Sequence, residues 1–257
     1  MQRKLVLVVE YDGTGYRGFQ LQPQGATIQG ELETAIRKLT GEKLRVVAAS
    51  RTDAGVHAVG QVVSFRTGSA LPPATVVRAL NFYLPPAIAV KAAYEVAPDF
   101  DVQRQARSRE YRYSILNSAT PSPLRIRTSY WVPRRLEIGA MNQACACLLG
   151  KHDFASFTSP EGTAQGTVHT VYRAEVSRDG DTVTFDMEAD SFLRHQVRLT
   201  VGSLIRVGLG KLSPGEFEGI VEAAQPGRAG PSAPAHGLCL RRVNYAPPLG
   251  DLMNEDI

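Results

Sequence analysis

The chain has 257 residues, 43% of them hydrophobic and 21% charged, which excludes a disordered segment and suffices for one large domain or two modest ones. No apolar run approaches the roughly 18 residues of a membrane span, so no membrane partner is expected. The net charge is only +4, yet of 29 basic residues six are lysine and 23 arginine, the side chain suited to bidentate phosphate contacts and base stacking.

Several arginines cluster: Arg104, Arg107, Arg109 and Arg112; Arg125, Arg127, Arg134 and Arg135; Arg194 and Arg198; Arg241 and Arg242. A genome or habitat that favours arginine everywhere would give the same excess, so nucleic acid is one partner the charge admits. The three cysteines, Cys145, Cys147 and Cys239, lack zinc or CxxC spacing. The short N-terminal apolar run meets Glu10 and Asp12 too soon for a signal peptide. A cytoplasmic protein with reduced thiols is expected.

In chain order, Leu5 to Tyr11 predicts a strand and Thr27 to Leu39 a capped helix. Leu44 to Ala49 and Gln61 to Thr67 predict strands around a loop that contains Asp53. Pro72-Pro73 opens a helix to about Tyr83, and Ile88 to Val96 returns as a strand. A second β-α-β-β-α-β series follows. Arg107 to Leu116 alternates as a strand, and Ile138 to Leu149 has helical spacing. Val168 to Arg178 and Thr182 to Ala189 are joined by the hairpin signal Asp179-Gly180-Asp181. Phe192 to Val207 predicts a long amphipathic helix, Ser213-Pro214 starts another, and Leu238 to Tyr245 closes as a strand.

The expected fold is α/β (α+β): two ferredoxin-like halves related by a pseudo-two-fold. They would merge into a broad mixed, largely antiparallel sheet with a basic cleft. The expected division is 1–103, 104–247 and an acidic tail over 248–257.

"DGTGYRG" (Asp12 to Gly18) matches G-x-G-x-x-G after a strand. A dinucleotide site needs the helix to start inside that pattern, and none can start before about Thr27. A loop carrying Tyr16, Arg17 and Phe19 towards backbone and bases fits better. The five histidines, His57, His152, His169, His195 and His236, show no metal-ligand spacing. His152-Asp153 is placed in a loop, and His195 on the long helix beside Arg194 and Arg198. No nucleophile elbow or Walker loop is present.

On the strand "REYRYSI", Tyr111 and Tyr113 share one face and Arg112 takes the other. On the predicted helix, Arg194 and Arg198 are i and i+4 neighbours. From pattern alone the tyrosines are equally the edge of a core, and the arginines a solvated face. In "RTDAGVHAVGQV", Asp53 and Gly55 are ordinary turn residues.

That last block resembles the signature of the TruA family of tRNA pseudouridine synthases. The resemblance extends through "YDGTGYRGFQLQP", "REYRYSI", "GKHDFASF", "SFLRHQVRLTVGSL" and "APAHGLCLRRVNY", in order along nearly the whole chain. It implies an isomerase converting uridine to pseudouridine at nucleotides 38, 39 and 40 of the tRNA anticodon stem-loop. It implies a homodimer bridged by tRNA, with no cofactor and no metal. By the same resemblance Asp53 is the nucleophile, and Tyr111 stacks on the base and is a candidate general base. Arg51 flips the nucleotide out, and Arg198 pairs with the Asp53 carboxylate. Arg17, Arg194, His195 and Arg206 are expected to bind substrate. Phe19, Arg194, Gln196 and Cys239 depart from the commoner residues of these motifs. A non-catalytic RNA-binding protein of the same fold is the alternative, and the presence of all four catalytic candidates argues against it.

The chemistry is coherent with those residues. The N1–C1′ bond breaks, the base turns, and C5 joins C1′, so nothing enters or leaves. A carboxylate can support this by attacking C1′ or C6, or by stabilising the charge of a departing base, and for nucleophilic work it must be ionised. A neighbouring guanidinium favours that state. Extruding a uridine from a stem costs a few kcal/mol, and an aromatic face returns about 1–3 kcal/mol by stacking.

Overall fold

The computed structural model describes residues 2–163 and 166–252, so the end of the acidic tail, 253–257, lies outside the described residues. The chain divides into two units. One runs up to Arg109 and resumes at Leu240; the other is Glu110–Cys239.

The first unit contains β1 (Arg3–Tyr11), α1 (Ile28–Thr40), β2 (Val47–Ala48), β3 (His57–Thr67), α2 (Pro73–Tyr83) and β4 (Ile88–Val96). Its strands lie in the order β4-β1-β3, with β2 on β3, which is the ferredoxin-like 4-1-3-2 arrangement. β1 pairs antiparallel with both β3 and β4. Alternate residues Leu5, Leu7, Val9 and Tyr11 are buried along β1, as are Ile28, Leu32, Ala35 and Ile36 at helical spacing on α1. Thr27 caps α1 by accepting from Gly30 N at 3.2 Å, as the Thr-Ile start predicts.

The strand expected over Leu44 to Ala49 shrinks to two residues. Side chains of α1 occupy the backbone of Val46 instead: Glu33 accepts from its N–H at 3.0 Å, and Gln29 donates to its carbonyl at 3.2 Å. β3 is correspondingly longer than expected and starts at His57, four residues after Asp53. A register shift sits between Val9 and Tyr11, because Val9 faces Gln61 while Tyr11 faces Ala58. The extra residue on β3 is a bulge at the mouth of the Asp53 loop.

The second unit contains β5 (Ala106–Leu116, from Glu110 onward), β6 (Tyr130–Trp131), α3 (Ile138–Ala146), β7 (Gly150–Asp153), β8 (Val168–Asp179), β9 (Thr182–Ala189), α4 (Gln196–Gly208) and α5 (Pro214–Ala223). Its strands lie in the order β5-β9-β8-β7, with β6 parallel on β5. The β8–β9 hairpin turns at Gly180, whose φ of 56° suits glycine.

His152 and Asp153, expected in a loop, instead form the end of edge strand β7, with His152 opposite His169. α3 is also shorter than predicted, because the chain turns at Gly150 (φ 96°) into that strand. The closing strand, β10 (Leu238–Tyr245), neighbours β3 from Leu240 onward and so belongs there to the first unit. The α/β class with largely antiparallel pairing expected from sequence is the one observed. Among the described residues no helix is long and apolar enough to cross a membrane.

α5 starts at a capping box: Ser213 Oγ accepts from Glu216 N, and the Glu216 carboxylate accepts from Ser213 N at 2.7 Å. Ser213→Ala should therefore lower stability by about 1 kcal/mol in urea unfolding. An unchanged midpoint would show that the box contributes nothing.

Candidate active site

In the first unit, Asp53 opens a tight turn. Val56 N donates to the Asp53 carbonyl at 3.2 Å, and Gly55 (φ 79°) supplies the positive φ a type II turn requires. Asp53 is half-buried and Arg51 exposed. Thr52 between them is buried and held twice. Its carbonyl accepts from Phe19 N at 3.0 Å, and its hydroxyl shares a 2.8 Å hydrogen bond with Tyr11 Oη. Gln61 donates to Tyr11 Oη at 3.4 Å and to the Ser50 carbonyl at 2.7 Å. The polar atoms beneath the turn are thus paired, as a buried network must be.

The glycine pattern of residues 13–18 is explained by the same turn. A Cβ on Gly13 would lie 2.0 Å from the Val56 carbonyl oxygen, and one on Gly18 2.7 Å from that of Thr52. The two loops lie backbone against backbone, and Gly55 N donates to the Tyr16 carbonyl at 3.3 Å. His57 joins them from the start of β3: its Nδ1 is 3.1 Å from both Gly13 N and Asp12 Oδ1. Asp12 Oδ1 also accepts from Thr14 N and Oγ1 at 2.9 and 2.6 Å. Arg17, exposed, runs its stem over Gly25. Burial first, then Glu31 and Asp12, push the Tyr16 hydroxyl above its ordinary range.

In the second unit, Tyr111 and Tyr113 are both buried on one face of β5, as their spacing predicts. Tyr113 is a packing residue: its hydroxyl donates to the Pro234 carbonyl at 2.8 Å, its ring fills the space a Cβ on Gly237 would take, and burial raises its pKa. Tyr111 instead meets the edge of Phe192, with ring centroids 5.1 Å apart at 83°. Arg112, on the opposite face, makes a bidentate pair with Asp186 at 2.7 and 2.9 Å. Arg109, a residue of the first unit, donates to the carbonyls of Gln103 and Ala49 there. These two clustered arginines therefore serve the fold.

The helix expected from Phe192 starts only at Gln196. His195, at φ 65°, is in a left-handed conformation no α-helix admits. Arg194 and His195 therefore precede α4, and Arg194 does not share a helical face with Arg198. Arg194 is exposed, and its carbonyl accepts from Thr158 Oγ1 at 3.1 Å. Arg198 Nε donates to the Ala233 carbonyl at 2.8 Å, and Ala233 N returns a bond to the Arg198 carbonyl at 2.9 Å. Arg206, two turns on, reaches the Gly230 carbonyl at 3.3 Å. Gly202 lets this segment onto the helix, since a Cβ there would lie 1.6 Å from the Pro231 carbonyl oxygen.

Burial pushes the Cys145 and Cys147 thiols up to about 12 and about 11, so both stay protonated near neutrality. Among the described residues no three His, Cys, Asp or Glu side chains gather as metal ligands. The polar network of Tyr11, Thr52 and Gln61, and the hydrogen bond between His169 and Gln196, had no signal in the sequence. Each joins residues remote in the chain.

A family model described as tRNA pseudouridine synthase matches residues 7–104 and 144–246. A protein of Moorella thermoacetica named tRNA pseudouridine synthase A is 44% identical over 243 residues, covering 94% of this chain and 99% of its own length. The chain belongs to the tRNA pseudouridine synthase family. Proteins of the same name from Acetivibrio thermocellus and Myxococcus xanthus are 42% and 43% identical. They cover 95% and 94% of this chain and 100% and 92% of their own lengths. A solved archaeal box H/ACA sRNP Nop10-Cbf5 complex aligns at TM-score 0.35 and 14% identity, over 95% of this chain and 52% of that one. As a pseudouridine synthase, the chain is an isomerase.

For this synthase the two-loop contact makes a specific prediction. Gly13→Ala should cost about 1–3 kcal/mol in thermal unfolding and lower turnover with it. Gly15→Ala should be silent, because a Cβ there meets nothing within 4 Å. Equal effects at both positions would refute the assignment.

Proposed function

We propose that the chain converts uridine to pseudouridine at positions 38, 39 and 40 of the tRNA anticodon stem-loop, with Asp53 as nucleophile on a flipped-out uridine. The observation that carries this reading is the bracing of the Asp53 turn. Its neighbour Thr52 is bonded through both carbonyl and hydroxyl, and a glycine loop presses on the turn from Gly13 to Gly18. A carboxylate held on such a support is preorganised for attack, which a mere surface turn has no need to be.

The remaining roles follow from chemistry. Asp53 attacks C1′ or C6 of the target. Arg198 pairs with it and favours the ionised state. Arg51, exposed two residues before it, fills the space the uridine vacates, and Tyr111 offers a ring face to the base. Arg17, Arg194, His195 and Arg206 contact the RNA. No group enters or leaves overall, so the reaction needs neither cofactor nor metal. The enzyme acts as a cytoplasmic homodimer bridged by tRNA.

Asp53→Asn should reduce tritium release from C5-labelled uridine in tRNA by at least about a thousandfold. A mutant as fast as the wild type would end the nucleophile assignment. Arg194→Ala should weaken tRNA binding most at low salt and lower the slope of log affinity against log salt by about one. A slope that does not change would remove its phosphate contact.

A further inference from the structure

Away from the Asp53 turn, the second unit buries an imidazole that the reaction as described does not use. His169, on β8, stacks on Phe154 with ring centroids 4.4 Å apart at 25°. Its Nε2 lies 2.9 Å from Gln196 Nε2, and both side chains are buried. The amide has one orientation, because Gln196 Oε1 accepts from Leu193 N at 2.9 Å. The amide nitrogen therefore donates to His169 Nε2. A ring nitrogen that accepts belongs to a neutral imidazole, which then carries its proton on Nδ1.

Gln196 N also donates to the Leu193 carbonyl at 3.2 Å, so one residue closes the turn 193–196 with backbone and side chain together. That turn contains His195 in its left-handed conformation, a cost of order 1 kcal/mol that the surroundings must offset. It begins beside Phe192, whose ring lies 6.4 Å from His169 and edge-on to Tyr111.

We propose that His169 and Gln196 are positioning residues for the isomerisation: their hydrogen bond holds the turn after Phe192, and through Phe192 sets the ring of Tyr111 that receives the base. This rests on the reading of Tyr111 as the stacking residue.

The device works only with a neutral ring. A proton on Nε2 would set N–H against N–H and break the bond to Gln196. Burial dominates and pushes the His169 pKa down; Asp190 beyond β9, the Thr167 backbone before β8, Asp153 on β7 and the polar Gln196 side chain offset it in part. His152 lies opposite it on β7, with its own Nε2 on the Leu149 carbonyl at 2.7 Å. A depressed histidine takes its proton in the unfolded chain first. Stability therefore falls as pH drops below the ordinary value of about 6.5 towards the folded value, and turnover falls as His169 itself protonates.

The test is single-turnover pseudouridine formation against pH, with tRNA affinity and melting temperature measured in parallel. His169→Phe keeps a ring on Phe154 and removes the acceptor. Its rate should drop about tenfold with unchanged tRNA affinity. His169→Gln restores a non-titrating acceptor. It should run within about threefold of wild type and lose the acid limb. A His169→Phe enzyme as fast as wild type, or a His169→Gln enzyme that keeps the acid limb, overturns the proposal. If His169→Phe does not fold, Gln196→Met, which fills the same space without a donor, decides on the same rate criterion. Tyr111→Ala separates the two readings. If it retains wild-type rate, the stacking role of Tyr111 fails. If it is inactive while the His169 and Gln196 variants are silent, only the positioning role fails.

Discussion

The Asp53 turn closes with a single hydrogen bond, from Val56 N to the Asp53 carbonyl, and another stretch of backbone lies directly on it. Gly13 and Gly18 approach the carbonyls of Val56 and Thr52 so closely that no side chain fits between. The loop that supplies them is itself anchored on the first turn of α1, through Phe19 O to Gln29 N and Leu21 N to Gln29 Oε1. The helix, the glycine loop and the carboxylate turn thus form one chain of contacts. The bulge on β3 and the hydroxyls of Tyr11 and Thr52 complete it from below. The backbone of this turn is thus fixed on folding by contacts remote in the chain.

The second unit solves a similar problem with different means. Its turn before α4 lacks a glycine at the left-handed position and uses His195 instead. The side chain of Gln196 compensates by closing that turn, and buried His169 holds Gln196 in place. Each half thus braces a constrained turn with buried polar atoms. Fully paired, such atoms make a turn rigid; left unpaired, the same burial would make it unstable.

Arginine content was an ambiguous guide for a related reason. Arg112 is paired with Asp186 and Arg109 with backbone carbonyls, so two members of one sequence cluster support the fold. Arg17, Arg51 and Arg194 are instead exposed. Charge counted along a chain does not separate the two, because the separation depends on which carboxylates and carbonyls the fold brings near.

Much was legible in the sequence. Alternation located the main strands and helical spacing α1, with a cap at Thr27, because burial of one face imposes those periods; the prolines at 72–73 and 214 marked where α2 and α5 begin. The motif "RTDAGVH" pointed to the family. The sequence did not reveal that "DGTGYRG" needs its glycines for contact with that turn, since the partners are some forty residues apart. It also extended α4 four residues too far, because apolar spacing continues through Phe192 while the backbone bends at His195. Periodicity reports which face a segment buries. Close approach, left-handed backbone and the pairing of buried polar groups depend on what the folded chain places opposite, and only the tertiary structure decided those.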